Sequence, residues 1–254
     1  MNNLRFAIAQ TRPVGGDIET NLEDHVRFTR LAAEKNADII IFPELSLTGY
    51  EPALAGSLAI KPDDQILDRL VALSVEHDIA VIAGAPIANT GGNPFIGSIC
   101  TGSFGHYLYL KMNLHPGEER LFTGGDEVGI LKVKDTAVGL AICADIAHSS
   151  HADAVSQRGA AIYAASAFIT PQGYEKDSRL LQDHASGHGM AVGMANFCGE
   201  SGGMESAGRS AMWDESGRLV IEASDSREEL IVVEKRSTQW QGATFQPSTN
   251  HRPD

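Results

Sequence analysis

"DIIIFPELSLTGY" (38–50) runs three isoleucines and a phenylalanine into a proline, an acid and a glycine-tyrosine turn. A short β-branched run of this kind reads as a strand buried on both faces, as strands covered by helices are. Before it lies "IETNLEDHVRFTRLAAEKNA" (18–37), where Leu22, Val26, Leu31 and Ala32 recur at helical intervals between charges, and before that "LRFAIAQ" (4–10), another apolar run. After it, "DDQILDRLVALSVEHD" (63–78) and "IAVIAGAP" (79–86) repeat helix and then strand. The order β-α-β-α-β predicts a layered α/β protein.

Beyond Gly91 the rhythm changes. "FIGSICT" (95–101), "HYLYLK" (106–111), "VGILKVK" (128–134) and "AVGLAIC" (137–143) follow one another with room only for turns, and read as strands. Helix and strand alternate again through "SSHADAVSQRGA" (149–160), "AIYAASA" (161–167), "DSRLLQDHASGHG" (177–189) and "MAVGMAN" (190–196). Three further strands are expected in "GRSAMWD" (208–214), "GRLVIEA" (217–223) and "ELIVVEK" (229–235), with residues from about 236 to 254 an irregular tail. No linker, repeat or low-complexity tract divides residues 1–254, so one domain is expected, with two packed sheets and helices outside them.

A hydrophobic content of 43% supplies an ordinary globular core, and a formal net charge of −13 repels nucleic-acid phosphates and acidic membrane surfaces. Cys100, Cys143 and Cys198 are too sparse for a disulfide framework or a metal knuckle, which fits a reducing compartment. The start "MNNLRFAIAQ" lacks the pattern of a secretory signal, and no apolar run is long enough to span a bilayer; a cytoplasmic location is expected. The glycines of "GHGMAVG" (187–193) precede a strand instead of leading from one into a helix, the wrong order for a dinucleotide fingerprint.

Three apolar runs each end on one ionisable group: Glu44 after "DIIIFP", Lys111 after "HYLYL" and Cys143 after "AVGLAI". Taken singly, each has a plain reading as a solvated strand exit or a small core thiol. Together they make a chemical set, because an ammonium beside a thiol favours the thiolate and a carboxylate can take up the proton. Cys143 at a strand-to-helix junction would also have the Ala144 N–H available to hold an oxyanion.

On these residues the chain resembles the nitrilase superfamily of carbon–nitrogen hydrolases. "FPELSLTGY", "LKMNLHPGEERLF" and "GLAICADIAH" match the family's three signatures in order and spacing, with weaker likeness at 194–196 and 207–217. The resemblance implies a four-layer α-β-β-α sandwich that pairs into a dimer or higher homo-oligomer, and a cofactor-free hydrolase working through a cysteine thioester. It implies Cys143 as nucleophile, Glu44 as general base and Lys111 as stabiliser of the tetrahedral intermediate. Glu119, three residues before Phe122, matches the second glutamate beside the lysine, with Glu118 the neighbour turned to solvent. Tyr50, His148 and Phe168 are the candidates for lining the substrate pocket.

The chain also departs from the family pattern. Asn113 stands where many relatives carry a histidine, and "CADIAHSSHA" lacks the tyrosine and arginine of a "CYDIRFPE"-like stretch. A substrate carboxylate calls for a guanidinium's paired donors, so this absence weighs against an ω-amidase or a deaminated-glutathione amidase unless Arg120 or Arg179 compensates. His148 and His151, with no third ligand in view, make a poor metal site. A small linear amide is the expected substrate. A nitrilase, an N-carbamoyl-amine hydrolase and a catalytically silent metabolite binder remain as alternatives.

Overall fold

The computed structural model describes residues 4–248. Seven strands make one sheet: β1 (Arg5–Gln10), β2 (Ile39–Ile41), β3 (Ala80–Ile87), β4 (Phe95–Gly102), β5 (Gly105–Leu110), β14 (Glu229–Arg236) and β15 (Gln239–Phe245). Their order across the sheet is β15-β14-β1-β2-β3-β4-β5. Six make the other, in the order β13 (Leu219–Glu222), β12 (Ala211–Trp213), β9 (Ala191–Ala195), β8 (Ile162–Ser166), β7 (Thr136–Ile142) and β6 (Gly129–Val133). A separate hairpin joins β10 (Cys198–Ser201) to β11 (Met204–Ala207).

The period-two alternation of side chains sorts residues into layers. On β1, Phe6 and Ile8 enter the core between the sheets while Ala7 and Ala9 face outward, and on β2 Ile39 and Ile41 point in while Ile40 points out. The outward set packs under Phe28 and Ala32 of α1 (Ile18–Glu34). Beyond the short α2 (Ala55–Leu58), the outer face of β3 and β4 is covered by Ile66, Leu67 and Leu70 of α3 (Gln65–His77). On the second sheet, Ile162 and Ala164 of β8 face the shared core, whereas Tyr163 and Ala165 face α4 (Ser149–Gln157) and α5 (Tyr174–His188). Helix, sheet, sheet and helix therefore stack as the expected four-layer α-β-β-α sandwich.

Two elements differ from the sequence reading. Gln239–Phe245, expected to be irregular, is an edge strand paired antiparallel with β14 from Leu230↔Phe245 to Arg236↔Gln239. Backbone pairing needs no apolar run, and this strand is mostly exposed. The β10–β11 hairpin was not expected at all, for the same reason. Of the tail, residues 249–254 lie outside the described residues. Among the described residues, no helix is long and apolar enough to cross a membrane.

Parallel pairing of β1 with β2, β2 with β3, and β7 with β8 sends the carboxyl ends of these strands to one edge of the sandwich. Glu44, Lys111, Cys143 and Phe168 follow β2, β5, β7 and β8 there. The backbone N–H of Glu44 donates to the carbonyl of Ala167 at 3.4 Å, tying the loop after one sheet to the loop after the other.

Candidate active site

The loop that carries Glu44 is held against β3 by close backbone approach. A Cβ on Gly84 would lie 2.4 Å from the Leu45 nitrogen and 2.6 Å from the Pro43 carbonyl oxygen, so only glycine fits beneath the turn. The Gly84 N–H donates to Ser46 Oγ at 2.9 Å, and Ser46 Oγ lies 2.9 Å from His25 Nε2. His25 is buried and stacked on Phe42 at 4.0 Å, and burial pushes its pKa down to about 4, so it is a neutral hydrogen-bonding wedge.

Glu44 is 1% exposed and Lys111 is wholly buried. Lys111 Nζ donates to Glu44 Oε1 at 2.7 Å and to the two Glu118 oxygens at 3.0 and 2.8 Å. One ammonium thus sits between two carboxylates in a dry layer, where an unshared charge would be costly. Glu44 Oε2 is buried and, among the described residues, without a hydrogen-bond partner at ordinary distance, an acceptor held ready for the thiol proton or an N–H. Burial pushes the Glu44 pKa up to about 7, Lys111 opposing the rise and Glu118 adding to it. Burial works against the charge on Lys111, but the surrounding carboxylates, Glu44 foremost, hold it firmly protonated.

Cys143 directly follows β7 with φ at 42°, a left-handed conformation that a residue bearing a Cβ adopts only when its surroundings impose it. The sharp turn sets the thiol of this partly exposed residue beside the Phe168 carbonyl oxygen, 3.7 Å from Sγ. Burial and the charge of Glu44 raise the thiol pKa, with Lys111 pulling the other way, so the resting group is a thiol that needs a base. Cys100 and Cys198 are buried in the packed interior.

Of the expected pocket residues, Tyr50 and Phe168 stand at this cluster. The Tyr50 hydroxyl donates to Glu118 Oε1 at 2.8 Å, and its ring lies 5.1 Å from that of Phe168. Burial, reinforced by Glu44 and Glu118, raises the Tyr50 pKa and keeps the phenol a donor. The hairpin braces this wall: Tyr50 N–H donates to Ser201 Oγ at 2.8 Å, and Gly202 N–H to Glu51 Oε1 at 3.1 Å. Ala144 follows the cysteine in a 3-10 turn spanning Cys143–Ala147. His148 is exposed where α4 begins, and among the described residues no hydrogen bond or ion pair joins its side chain to Glu44, Lys111 or Cys143. His151 is buried, 2.9 Å from the Tyr109 hydroxyl and 3.0 Å from that of Tyr163. Among the described residues no group of three or more His, Cys, Asp or Glu is arranged to hold a metal ion.

The expectation for the second glutamate is off by one residue. Glu119 is exposed, its carboxylate turned back onto the Gly117 N–H at 2.6 Å, while Glu118 enters the lysine's pocket. Gly117, at φ 102°, starts a tight turn in which the Phe122 N–H bonds the Glu118 carbonyl at 2.8 Å. Buried Phe122 therefore stacks one α-turn from Glu118, and that face points inward. The sequence also gave no role to Asp145 or Tyr109, both buried beside the cluster.

A buried carboxylate–ammonium–carboxylate row and a cysteine held at positive φ thus stand at one edge of an α-β-β-α sandwich. The chain belongs to the carbon-nitrogen hydrolase family, whose model matches residues 5–243. It is similar in fold to an amidase from Nesterenkonia sp. AN1, with a TM-score of 0.83 and 22% identity over 92% of this chain and 94% of that one. That amidase has been seen with acrylamide added to its active-site cysteine and, as a cysteine-to-alanine variant, in complex with butyramide. The chain is 25% identical over 92% of its length to a glutamine-dependent NAD(+) synthetase of Thermotoga maritima, and spans 42% of that protein. A formamidase of Pseudomonas syringae pv. tomato is 25% identical over 78% of this chain and 60% of its own length.

Proposed function

We propose that the protein hydrolyses small linear amides to a carboxylate and ammonia through a thioester on Cys143. The observation that carries this reading is the single ammonium of Lys111 bonded to both Glu44 and Glu118 next to a thiol that needs a base. Glu44 takes the thiol proton as sulfur attacks the carbonyl carbon. Lys111 and the Ala144 N–H stabilise the oxyanion. Protonated Glu44 then gives its proton to the leaving nitrogen as the C–N bond breaks, releasing ammonia and leaving the acyl group on sulfur. Glu44 next deprotonates a water that attacks the thioester and returns that proton to sulfur as the C–S bond breaks, regenerating the thiol and releasing the carboxylic acid. A carboxylate raised to about 7 is matched to both directions of this proton traffic near neutral pH.

Tyr50 and Phe168, their rings 5.1 Å apart and tilted by 34°, supply an aromatic wall for the acyl part. Similarity to glutamine-dependent synthetases supports a second reading, in which glutamine is the amide and ammonia the useful product. Ammonia release from formamide, acetamide, propionamide, butyramide and glutamine, alongside the matching nitriles and N-carbamoyl amines, separates these. Turnover of the short amides supports the proposal, preference for glutamine supports the second reading, and turnover of nitriles alone refutes both. Pairing of the protein with a second copy belongs to the same proposal, and sedimentation velocity tests it.

A further inference from the structure

Asp145 lies two residues after Cys143, wholly buried, and its carboxylate accepts four hydrogen bonds. Oδ2 accepts from the Ile142 N–H at 3.0 Å, clamping the turn from the residue just before the cysteine, and from the Tyr109 hydroxyl at 2.6 Å. Oδ1 accepts from the backbone N–H of Asn113 at 2.8 Å and from its Nδ2 at 3.0 Å. Tyr109 and Asn113 are the residues two before and two after Lys111. One carboxylate thus grips the nucleophile's turn on one side and both flanks of the lysine on the other. The bonds cross between sheets, because β5 and β7 belong to different ones.

The local sequence is built for this crossing. Tyr109 and Lys111 are two residues apart, so both side chains leave the same face of the β5 segment. The Tyr109 ring passes over Gly129 of β6, where a Cβ would lie 2.7 Å from the ring. Since the Tyr109 hydroxyl donates to Asp145, it accepts from His151 Nε2–H at 2.9 Å, and His151 Nδ1 accepts from the Tyr163 hydroxyl at 3.0 Å. The chain of donors Tyr163, His151, Tyr109 runs in one direction and ends on Asp145, and only the last of them touches the carboxylate. Cys143 is held at a positive φ that must be imposed from outside, and the Ile142 N–H bond to Asp145 is a restraint on that turn.

We infer that Asp145 is a positioning residue that fixes the Cys143 thiol relative to the Lys111 ammonium, through Ile142 on one side and Tyr109 and Asn113 on the other. Asn113, which departs from the family's histidine, belongs to this strut as its donor pair. The inference rests on the proposed hydrolysis, since it concerns the same thiol. A misplacement of about 1 Å at a reacting atom costs on the order of 100-fold in rate.

The test compares two matched hydroxyl deletions. Tyr109→Phe removes a donor to Asp145, whereas Tyr163→Phe removes a donor one histidine further away and leaves all four bonds to Asp145. Each variant is measured for urea stability, for kcat and KM on the best amide, and for the rate of Cys143 alkylation by iodoacetamide, located by peptide mass. The expected result is a similar loss of stability in both variants, with kcat and alkylation slowed about 10-fold by Tyr109→Phe alone and KM within about twofold of wild type. Asp145→Asn, which keeps the shape but supplies one acceptor oxygen in place of two, should slow both about 100-fold. Equal effects of Tyr109→Phe and Tyr163→Phe on kcat and alkylation, or none from either, would overturn the inference. If no amide is turned over by the wild type, the hydrolysis proposal fails while alkylation still reads the strut.

Discussion

Replacing Lys111 with methionine removes the charge and keeps most of the side-chain volume, and the consequence can be worked out from the geometry. Glu44 and Glu118, 1% and 6% exposed, would face each other with no cation between them. Breaking a buried ion pair from one side costs about 3–5 kcal/mol. The variant can relieve part of this by holding Glu44 protonated to a higher pH than the wild type does, since Lys111 opposes the rise of its pKa. A carboxyl whose folded pKa is raised gives stability that is present below its unfolded value and lost as pH rises through the folded one. For Glu44 that window runs from 4.5, its ordinary value, up through about 7 in the wild type, and higher without Lys111. A full extra proton held by the folded variant makes its deficit grow by about 1.4 kcal/mol per pH unit; because wild-type Glu44 is itself half protonated near 7, the gap should widen by about 1 kcal/mol from pH 7 to pH 8. Urea denaturation followed by fluorescence of Trp213, 1% exposed, measures the gap at each pH. A deficit that stays flat with pH, or one below about 1 kcal/mol at pH 8, would show that the three groups do not share one buried charge balance. Adding Glu118→Gln to the variant should restore part of the loss, because one of the two opposed carboxylates is gone.

The pH profile of the wild type follows from the same site: kcat/KM on an amide should rise tenfold per pH unit below about 7 and level off above, since in the proposed mechanism ionised Glu44 accepts the thiol proton. A profile already flat at pH 5 would contradict Glu44 as base. Glu118→Gln should lower kcat by about 10–1,000-fold while Glu119→Gln, on an exposed side chain, leaves it within about twofold; steady-state kinetics on the two variants decide which glutamate serves Lys111. Gly84→Ala should cost about 1–3 kcal/mol by urea denaturation and lower kcat as well, because the added methyl meets backbone atoms of the Glu44 loop that have no rotamer to escape into. Wild-type stability and turnover in that variant would mean that the loop is not pinned there.

Most of the sandwich was legible because its strands are buried on both faces. Runs such as "DIIIF" and "AIYAASA" must be apolar throughout when one side meets the other sheet and the other side meets helices. The hairpin at 198–207 and the edge strand at 239–245 carry no such mark, since they are held by backbone pairing and by turns at Gly202 and Gly203. That Glu44, Lys111 and Cys143 follow strands to one edge could be read from three ionisable groups, each placed where an apolar run ends. The choice between Glu118 and Glu119 could not, because it depends on the sense of a single turn after Gly117 and on a tyrosine hydroxyl arriving from residue 50. The one signal on offer was Phe122, four residues after Glu118 and therefore on the same face of an α-turn. Asp145 was visible only as an acid beside the cysteine; its grip on both flanks of Lys111 depends on how the two sheets are stacked.

The most direct test of the central claim is an acid-quenched intact-mass measurement of the protein during turnover of a short amide such as propionamide, with peptide mapping of any adduct. The mass of a propionyl group carried on the Cys143 peptide, absent from Cys143→Ala, is the expected result. Amide turnover that survives Cys143→Ala, or an acyl group found on Cys198 or Cys100 instead, would contradict it.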